Sequence, residues 1–390
     1  MSTSAKSPTA PAIVGHDALL ASLGRAIRDE TLPATVLVHG ARGCGKQTLA
    51  LWMARASLCA EPAPPCERCT SCRLALRLEH ADIHWFFPLP RPKGASSPAK
   101  MAEALEDARL ERLEEHRRAR LRPPPEDGVV GIYLATVLGI RSRAHKRPAL
   151  GEAQWFVIGD AEHLVSQEAS PEAANALLKL LEEPPSGSRF VLTSSRPDAL
   201  LETIRSRALP VHLPPLPAGE VASFLERECG ADPEAATLAA TLSQGSIGSA
   251  MGHLDADGAS AAVRRESLEL LRAALERRRS HYYTRALGLP PGGARGLLGL
   301  LAALQLWLRD LAAASLGREE RVANIDELAF LRGAAARLSA TPDRLGAAMD
   351  RIEEATALAT ANVNPQLLIG GLLLELEAAL HGAARPGGAG

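Results

Sequence analysis

At 390 residues, 46% hydrophobic and 23% charged, the chain has the make-up of a globular protein long enough for two or three domains. Aromatic residues reach only 3%, which argues against base-stacking platforms, and a net charge of −1 excludes a protein that is basic overall. Any nucleic-acid contact must come from a local patch or from partners. Met1 to Pro11 is a Ser/Thr/Ala/Pro stretch with no apolar centre, so it reads as a loose tail and not as a signal peptide. The longest apolar stretch, around Gly296 to Leu306, is broken by Arg309 and Asp310 and is too short to span a bilayer. The expected compartment is the cytoplasm, with no membrane partner.

Ile13-Val14-Gly15-His16 precedes an amphipathic helix through Leu19, Leu20, Leu23 and Ile27. The apolar run Ala34 to Val38 then leads into His39-Gly40-Ala41-Arg42-Gly43-Cys44-Gly45-Lys46-Gln47-Thr48, and a helical pattern follows through Leu49, Leu51, Trp52 and Ala56. Strand, glycine-rich loop and helix form the setting of a phosphate-binding loop. The glycines let successive N–H groups point inward, the helix N-terminus adds partial positive charge, and Lys46 reaches a terminal phosphate. ATP or ADP is the ligand such a cradle fits; a loop that keeps the shape without holding a nucleotide is the alternative. Where a Mg²⁺-binding hydroxyl belongs, the chain has Gln47. Thr48 comes one residue late, roughly a 100° turn on a helix.

Six cysteines are present, and Cys59, Cys66, Cys69 and Cys72 fall within fourteen residues. Two overlapping C-x-x-C steps and a fourth thiol nearby can close a tetrahedral Zn²⁺ site, structural because no position is left open. A reduced thiol cluster or a redox pair is the competing reading. Asp82 to Phe86 is a strand candidate. From Pro88 the composition shifts, and Met101 to Arg122 reads as an exposed helix of both charge signs ending at Pro123-Pro124-Pro125. Its Arg117, Arg118, Arg120 and Arg122 form a solvated face, with contact to a phosphate backbone as the alternative. The segment looks like an insertion.

Trp155 to Ile158 is a buried strand, Ala173 to Leu181 a helix and Arg189 to Thr193 another strand. Alternating strands and helices after a phosphate loop predict a parallel sheet covered by helices on both faces, with its ligand crevice at the strands' carboxyl ends. A hydrolysing site would place an adjacent Asp-Glu pair after Ile158. The run is Gly159-Asp160-Ala161-Glu162, with Asp160 one place late and Glu162 three. From Pro214 onward the patterns are helical: a small lid over Gly219 to Leu254, then Val263 to Arg279, Gly296 to Leu316, Ile325 to Leu338, Leu345 to Ala361 and Gln366 to His381, with stripes of Leu and Ala that read as internal core.

Asn175-Ala176-Leu177-Leu178-Lys179-Leu180-Leu181-Glu182-Glu183-Pro184-Pro185 resembles the clamp-loader branch of the AAA+ ATPases. The likeness extends to Val14-Gly15-His16, the four-cysteine insert, Phe190 to Ser195, Ile204-Arg205-Ser206-Arg207 and Asn362-Val363-Asn364-Pro365-Gln366-Leu367. It covers about Ile13 to Leu376, with Pro88 to Pro125 unmatched. The family's gamma/tau motor would show a hydroxyl after Lys46, an Asp-Glu pair after Ile158 and an arginine in a Gly-Ser-x-Arg motif. This chain has Gln47, Gly159-Asp160 and Gly245-Ser246-Ile247-Gly248, and Gly248 resembles the delta prime pattern.

The resemblance thus implies a largely non-hydrolysing scaffold subunit. It implies Arg207 as a finger placed in trans into a neighbour's ATP site, where a guanidinium neutralises charge on the transferring phosphoryl group. Ala208 departs from the usual Cys of that triplet, and a surface arginine paired with Glu202 or Glu220 is the plain alternative. The implied nucleotide contacts are Val14, Gly40, Arg42, Gly43, Gly45, Lys46, Gln47 and Thr48. The implied partners are gamma/tau and delta subunits in a hetero-pentamer, with the sliding clamp and primer-template DNA reached through the complex. The rival readings are an active motor subunit and a zinc-dependent nucleic-acid-binding module. Expected domains are an α/β P-loop AAA+ domain over 12–214, carrying the zinc module 59–72 and a charged insertion 88–127, a helical lid over 215–258 and a helical collar over 259–382. The tails are 1–11 and 383–390.

Overall fold

The structure is a computed structural model that describes residues 13–94, 97–119, 130–164, 172–289, 294–338, 341–360 and 363–382. Both tails, Arg120, Arg122, the triple proline and Asn362 lie outside these residues. The chain divides into two compact units, the first drawn from residues up to Glu220 with Gly245–Ser249, the second from Val221–Gln244 and the residues from Ala250 on.

In the first unit the elements run α1 (Asp17–Arg28), β1 (Thr35–His39), α2 (Lys46–Ser57), α3 (Thr70–Leu76), β2 (Ile83–Phe86), β3 (Leu89–Pro90), α4 (Pro98–Arg118), β4 (Val130–Gly131), α5 (Leu134–Ala144), β5 (Gln154–Ile158), α6 (Glu172–Glu182), β6 (Ser188–Ser194), α7 (Glu202–Arg205) and β7 (Leu209–His212). Five strands form one sheet in the order β2-β5-β6-β1-β7, and every pairing in it is parallel. Continuous apolar runs make this possible, because alternate residues face opposite sides and both sides are covered. Leu37, Phe156, Ile158, Phe190 and Leu192 pack on one face with Ile140 of α5 and Leu177 of α6. Val36, Val38, Trp155, Val157 and Val191 pack on the other with Leu49 and Met53 of α2 and Leu105 of α4. The parallel α/β fold with the phosphate loop after its first strand is the fold class predicted.

The carboxyl ends of β1, β5 and β6 lie side by side, which brings His39-Gly40, Ile158-Gly159 and Ser194-Ser195 to one edge. The charged segment differs from its prediction. Its helix spans Pro98–Arg118, with Pro98 at its first position and the Ser97 side chain accepting from the Lys100 N–H. It is not an exposed helix throughout: Leu105, Arg109 and Leu113 are buried, one stripe at a spacing of four residues. Arg109 Nη1 donates to the Trp85 carbonyl at 3.2 Å and Arg117 Nη2 to the Leu78 carbonyl at 2.8 Å. Arg117 and Arg118 both pair with Glu114, so neither is a bare phosphate contact.

Three short helices come next in the chain: α8 (Ala218–Cys229), α9 (Pro233–Leu242) and α10 (Ile247–His253). The second unit is dominated by α11 (Ala259–Leu275), α12 (Arg279–Gly288), α13 (Leu298–Ser315), α14 (Leu328–Leu338), α15 (Pro342–Thr360) and α16 (Pro365–His381). Their shared core holds Leu271, Leu301, Leu304, Trp307, Leu308, Leu331, Ile352, Leu373 and Leu376. The 18-residue α13 is long and apolar enough to cross a membrane by length and composition alone, yet Leu301, Leu304, Trp307 and Leu308 are buried in this bundle. Asp310, one of the charges that break its apolar run, accepts from the Ala323 and Asn324 N–H groups at 2.9 and 2.8 Å and from Asn324 Nδ2 at 2.6 Å. A buried carboxylate with three donors is a satisfied one.

Candidate functional site

The loop after β1 has the geometry of a phosphate cradle. Gly45 caps α2 with φ 97°, a left-handed value that glycine adopts without strain. Gly40 leaves no room for a side chain, since a Cβ there would stand 2.3 Å from the Leu213 carbonyl oxygen. Lys46 is buried at 5% exposure, and its Nζ donates to the Gly40 and Ala41 carbonyls at 3.1 and 2.8 Å. Arg42 and Gly43 present their carbonyls to the Gly245–Ser249 segment: Ser246 Oγ donates to Arg42 at 2.8 Å and the Gly248 N–H to Gly43 at 3.0 Å. The Gly-Ser-x-Gly run, where the motor pattern has its lid arginine, is therefore seated on the loop itself. Val14 lies beside Gly15, whose φ of 66° fits it closely against Leu216 and Glu220.

Gln47 is the decisive residue. Its Nε2 donates to Asp160 Oδ2 at 2.9 Å, and its Oε1 accepts from Trp85 Nε1 at 3.0 Å. The oxygen is the one atom of a carboxamide that ligates a hard cation, and it is engaged by the indole. The nitrogen faces the acid that a Mg²⁺ site would use. A donor group thus faces Asp160 where a second oxygen ligand would be needed, and Gln47 and Asp160 as placed do not fit the metal. Gly159 admits this arrangement: a Cβ there would lie 2.8 Å from the Gln47 Cδ, Nε2 and Oε1 atoms. Asp160, one place late by count, is turned by a φ of 48° with its N–H donating to Thr193 Oγ1 at 3.0 Å, and so faces the loop after all. Thr48 follows half-buried on α2. Glu162 is turned elsewhere, accepting from the Ser195 N–H and Oγ at 3.1 and 2.8 Å. Burial opposes its ionisation, but these donors together with Ser194 hold its carboxyl below the usual range.

Arg207 follows α7 on the same unit. Its Nη2 meets Glu182 Oε1 at 2.7 Å and its Nη1 donates to the Thr203 carbonyl at 2.8 Å. The carboxylate partner is Glu182 at the end of α6, and not Glu202 or Glu220 as the plain alternative had it. The pairing joins residues 25 apart in sequence (207 − 182) and gave no local signal.

The sulfurs of Cys59, Cys66, Cys69 and Cys72 all lie within 4.8 Å of one another, Cys66 and Cys72 at 4.0 Å. Zinc–sulfur bonds of about 2.3 Å in a tetrahedron set sulfurs about 3.8 Å apart, so the cluster fits a metal ion such as zinc. Backbone N–H groups support the sulfurs, Cys66 N donating to Cys59, Cys69 N to Cys66 and Cys72 N to Cys69 at 3.3–3.4 Å. Burial pushes the Cys72 thiol up; at Cys66 burial is outweighed by the Cys69 and Arg68 N–H groups, which hold it down at about 6.

The strand, the cradle and the crevice define a P-loop protein of the parallel α/β class. Residues 15–217 match the family described as "DNA polymerase III, delta subunit", and the chain belongs to that family. It is 28% identical over 355 residues to DNA polymerase III subunit delta' of Escherichia coli K12, covering 88% of each chain. It is 28% identical over 195 residues to the same-named subunit of Bacillus subtilis 168, covering 50% of this chain and 46% of the relative. DNA polymerase III subunit tau of E. coli is 26% identical over 250 residues, covering 62% and 32%. A solved gamma subunit-related protein of Thermotoga maritima covers 92% of this chain and 99% of its own at 17% identity and a TM-score of 0.38.

Proposed function

We propose that the chain works in the cytoplasm as the delta prime-type subunit of a DNA polymerase III clamp loader. In this reading it is a largely non-hydrolysing scaffold that offers Arg207 to the ATP site of a neighbouring subunit. What carries the reading is the Gln47 amide, which bonds both Asp160 and Trp85 where a hydrolysing site needs a metal. Arg207, by contrast, keeps its side chain 35% exposed at the surface. Its planar fork suits a phosphoryl group in transfer, which lysine would match poorly.

Gamma/tau and delta subunits in a hetero-pentamer are the partners this role needs, with the sliding clamp and primer-template DNA reached through the assembly. Residues 215–258 serve as lid and 259–382 as collar. ATP or ADP in the cradle rests on the loop N–H groups and Lys46 without Mg²⁺. Zinc on Cys59, Cys66, Cys69 and Cys72 is structural, since four sulfurs leave no open position.

The test is ATP turnover by the assembled complex. With Arg207→Ala the complex still assembles, and turnover at the served site falls by about 10³-fold or more. An unchanged rate overturns the proposal.

A further inference from the structure

Glu182 stands in an unfavourable place for its own helix. Pro184 and Pro185 stop α6 just beyond it, so its carboxylate sits at the end where carbonyl dipoles accumulate negative charge. An acid there gains nothing from the helix. What it meets is the Arg207 guanidinium, 2.7 Å away, while the Thr203 carbonyl of α7 takes Nη1 at 2.8 Å and Ser206 Oγ lies 3.4 Å from the same nitrogen. The fork is therefore gripped from two helices.

The pair is open to water, with the two side chains 35% and 45% exposed. Ion pairs of that kind add little net stability. They do fix direction. An arginine already held in one rotamer loses less freedom when it engages a phosphate than one that swings from a surface.

We infer that Glu182 is the positioning residue for Arg207, holding its guanidinium ready for the neighbouring subunit's phosphoryl group. This rests on the in-trans role proposed for Arg207. The proposed hold is directional, an acceptor oxygen 2.7 Å from Nη2 that a carboxamide at 182 also supplies, so Glu182→Gln preserves it and Glu182→Ala removes it.

The experiment is steady-state ATPase kinetics on the assembled complex carrying Arg207→Ala, Glu182→Ala, Glu182→Gln, or Glu182→Ala together with Arg207→Ala, with assembly followed by co-elution. Glu182→Ala lowers kcat at the served site by about tenfold to a hundredfold, leaves the KM for ATP within about twofold and adds nothing to Arg207→Ala. Glu182→Gln retains most of the turnover. If Glu182→Ala matches the unmodified complex, changes KM instead of kcat, or deepens the loss beyond Arg207→Ala, the inference fails and the finger stands. Equal losses with Gln and Ala, or lost assembly with either, overturn it as well. If Arg207→Ala itself has no effect, both readings fall.

Discussion

Gln47 commits both ends of its amide inside the protein, one to Asp160 and one to Trp85, and Gly159 makes the space for it. These four residues act as a unit, so a change in one is felt through another. Gly159→Ala would place a methyl group on the amide and displace it, leaving the Trp85 indole N–H short of its Gln47 acceptor. The cost is about 1–3 kcal/mol by urea denaturation, and it shrinks towards zero in a Gln47→Ala background, where nothing is left to displace. Equal costs in both backgrounds would show that the clash lies elsewhere. At this scale the sequence was readable where chemistry is local. Lys46, the cysteine spacing and the missing hydroxyl at Gln47 stand in one short window each. Asp160 was not, because counting along a strand cannot see a left-handed φ of 48° that swings the side chain back. Trp85 and Glu182 reach their partners only through the fold, at separations no local pattern records.

Among the elements, α4 is the one whose role the sequence hid. A helix this rich in Glu and Arg shows a solvated face from any angle, and its buried stripe is only three residues deep. His116 near its end packs its ring 4.6 Å from that of Trp85 and 5.5 Å from Phe87. Burial first, then the Arg112 charge, holds the His116 pKa down at about 4, with Glu115 acting the other way. An unfolded histidine titrates near pH 6.5. Between pH about 6.5 and 4 the unfolded chain therefore binds the proton more readily, and stability falls as pH falls through that window. Urea midpoints measured from pH 7 to pH 4 should drop less in His116→Phe than in the unmodified chain; parallel curves would remove His116 as a cause. The cysteine module makes a separate prediction. Metal analysis of the purified chain finds about one zinc per chain, and Cys69→Ser loses it and melts at lower temperature. A zinc-free chain that is equally stable with and without Cys69 would remove the metal.

Over the whole molecule, the parallel sheet was legible because its strands are apolar on both faces: Trp155 and Val157 point one way while Phe156 and Ile158 point the other. Among the elements not foreseen, β7 and α5 carry weaker marks. Leu209 and Pro210 on β7 are exposed, and α5 mixes Leu134 and Leu138, both exposed, with the buried Val137 and Ile140. The helices of the second unit follow from stripes of leucine, though one expected helix over Val263 to Arg279 is in fact α11 ending at Leu275, with α12 beginning at Arg279. The proposed division of labour sets the Gln47 amide, bonded to Asp160 and Trp85, against a surface guanidinium offered to an adjoining subunit. The most direct measurement is ATP turnover by the isolated chain in excess Mg²⁺, with Lys46→Ala as the control. Turnover no higher than that of the Lys46→Ala chain is expected, and steady hydrolysis that Lys46→Ala abolishes would contradict a non-hydrolysing subunit.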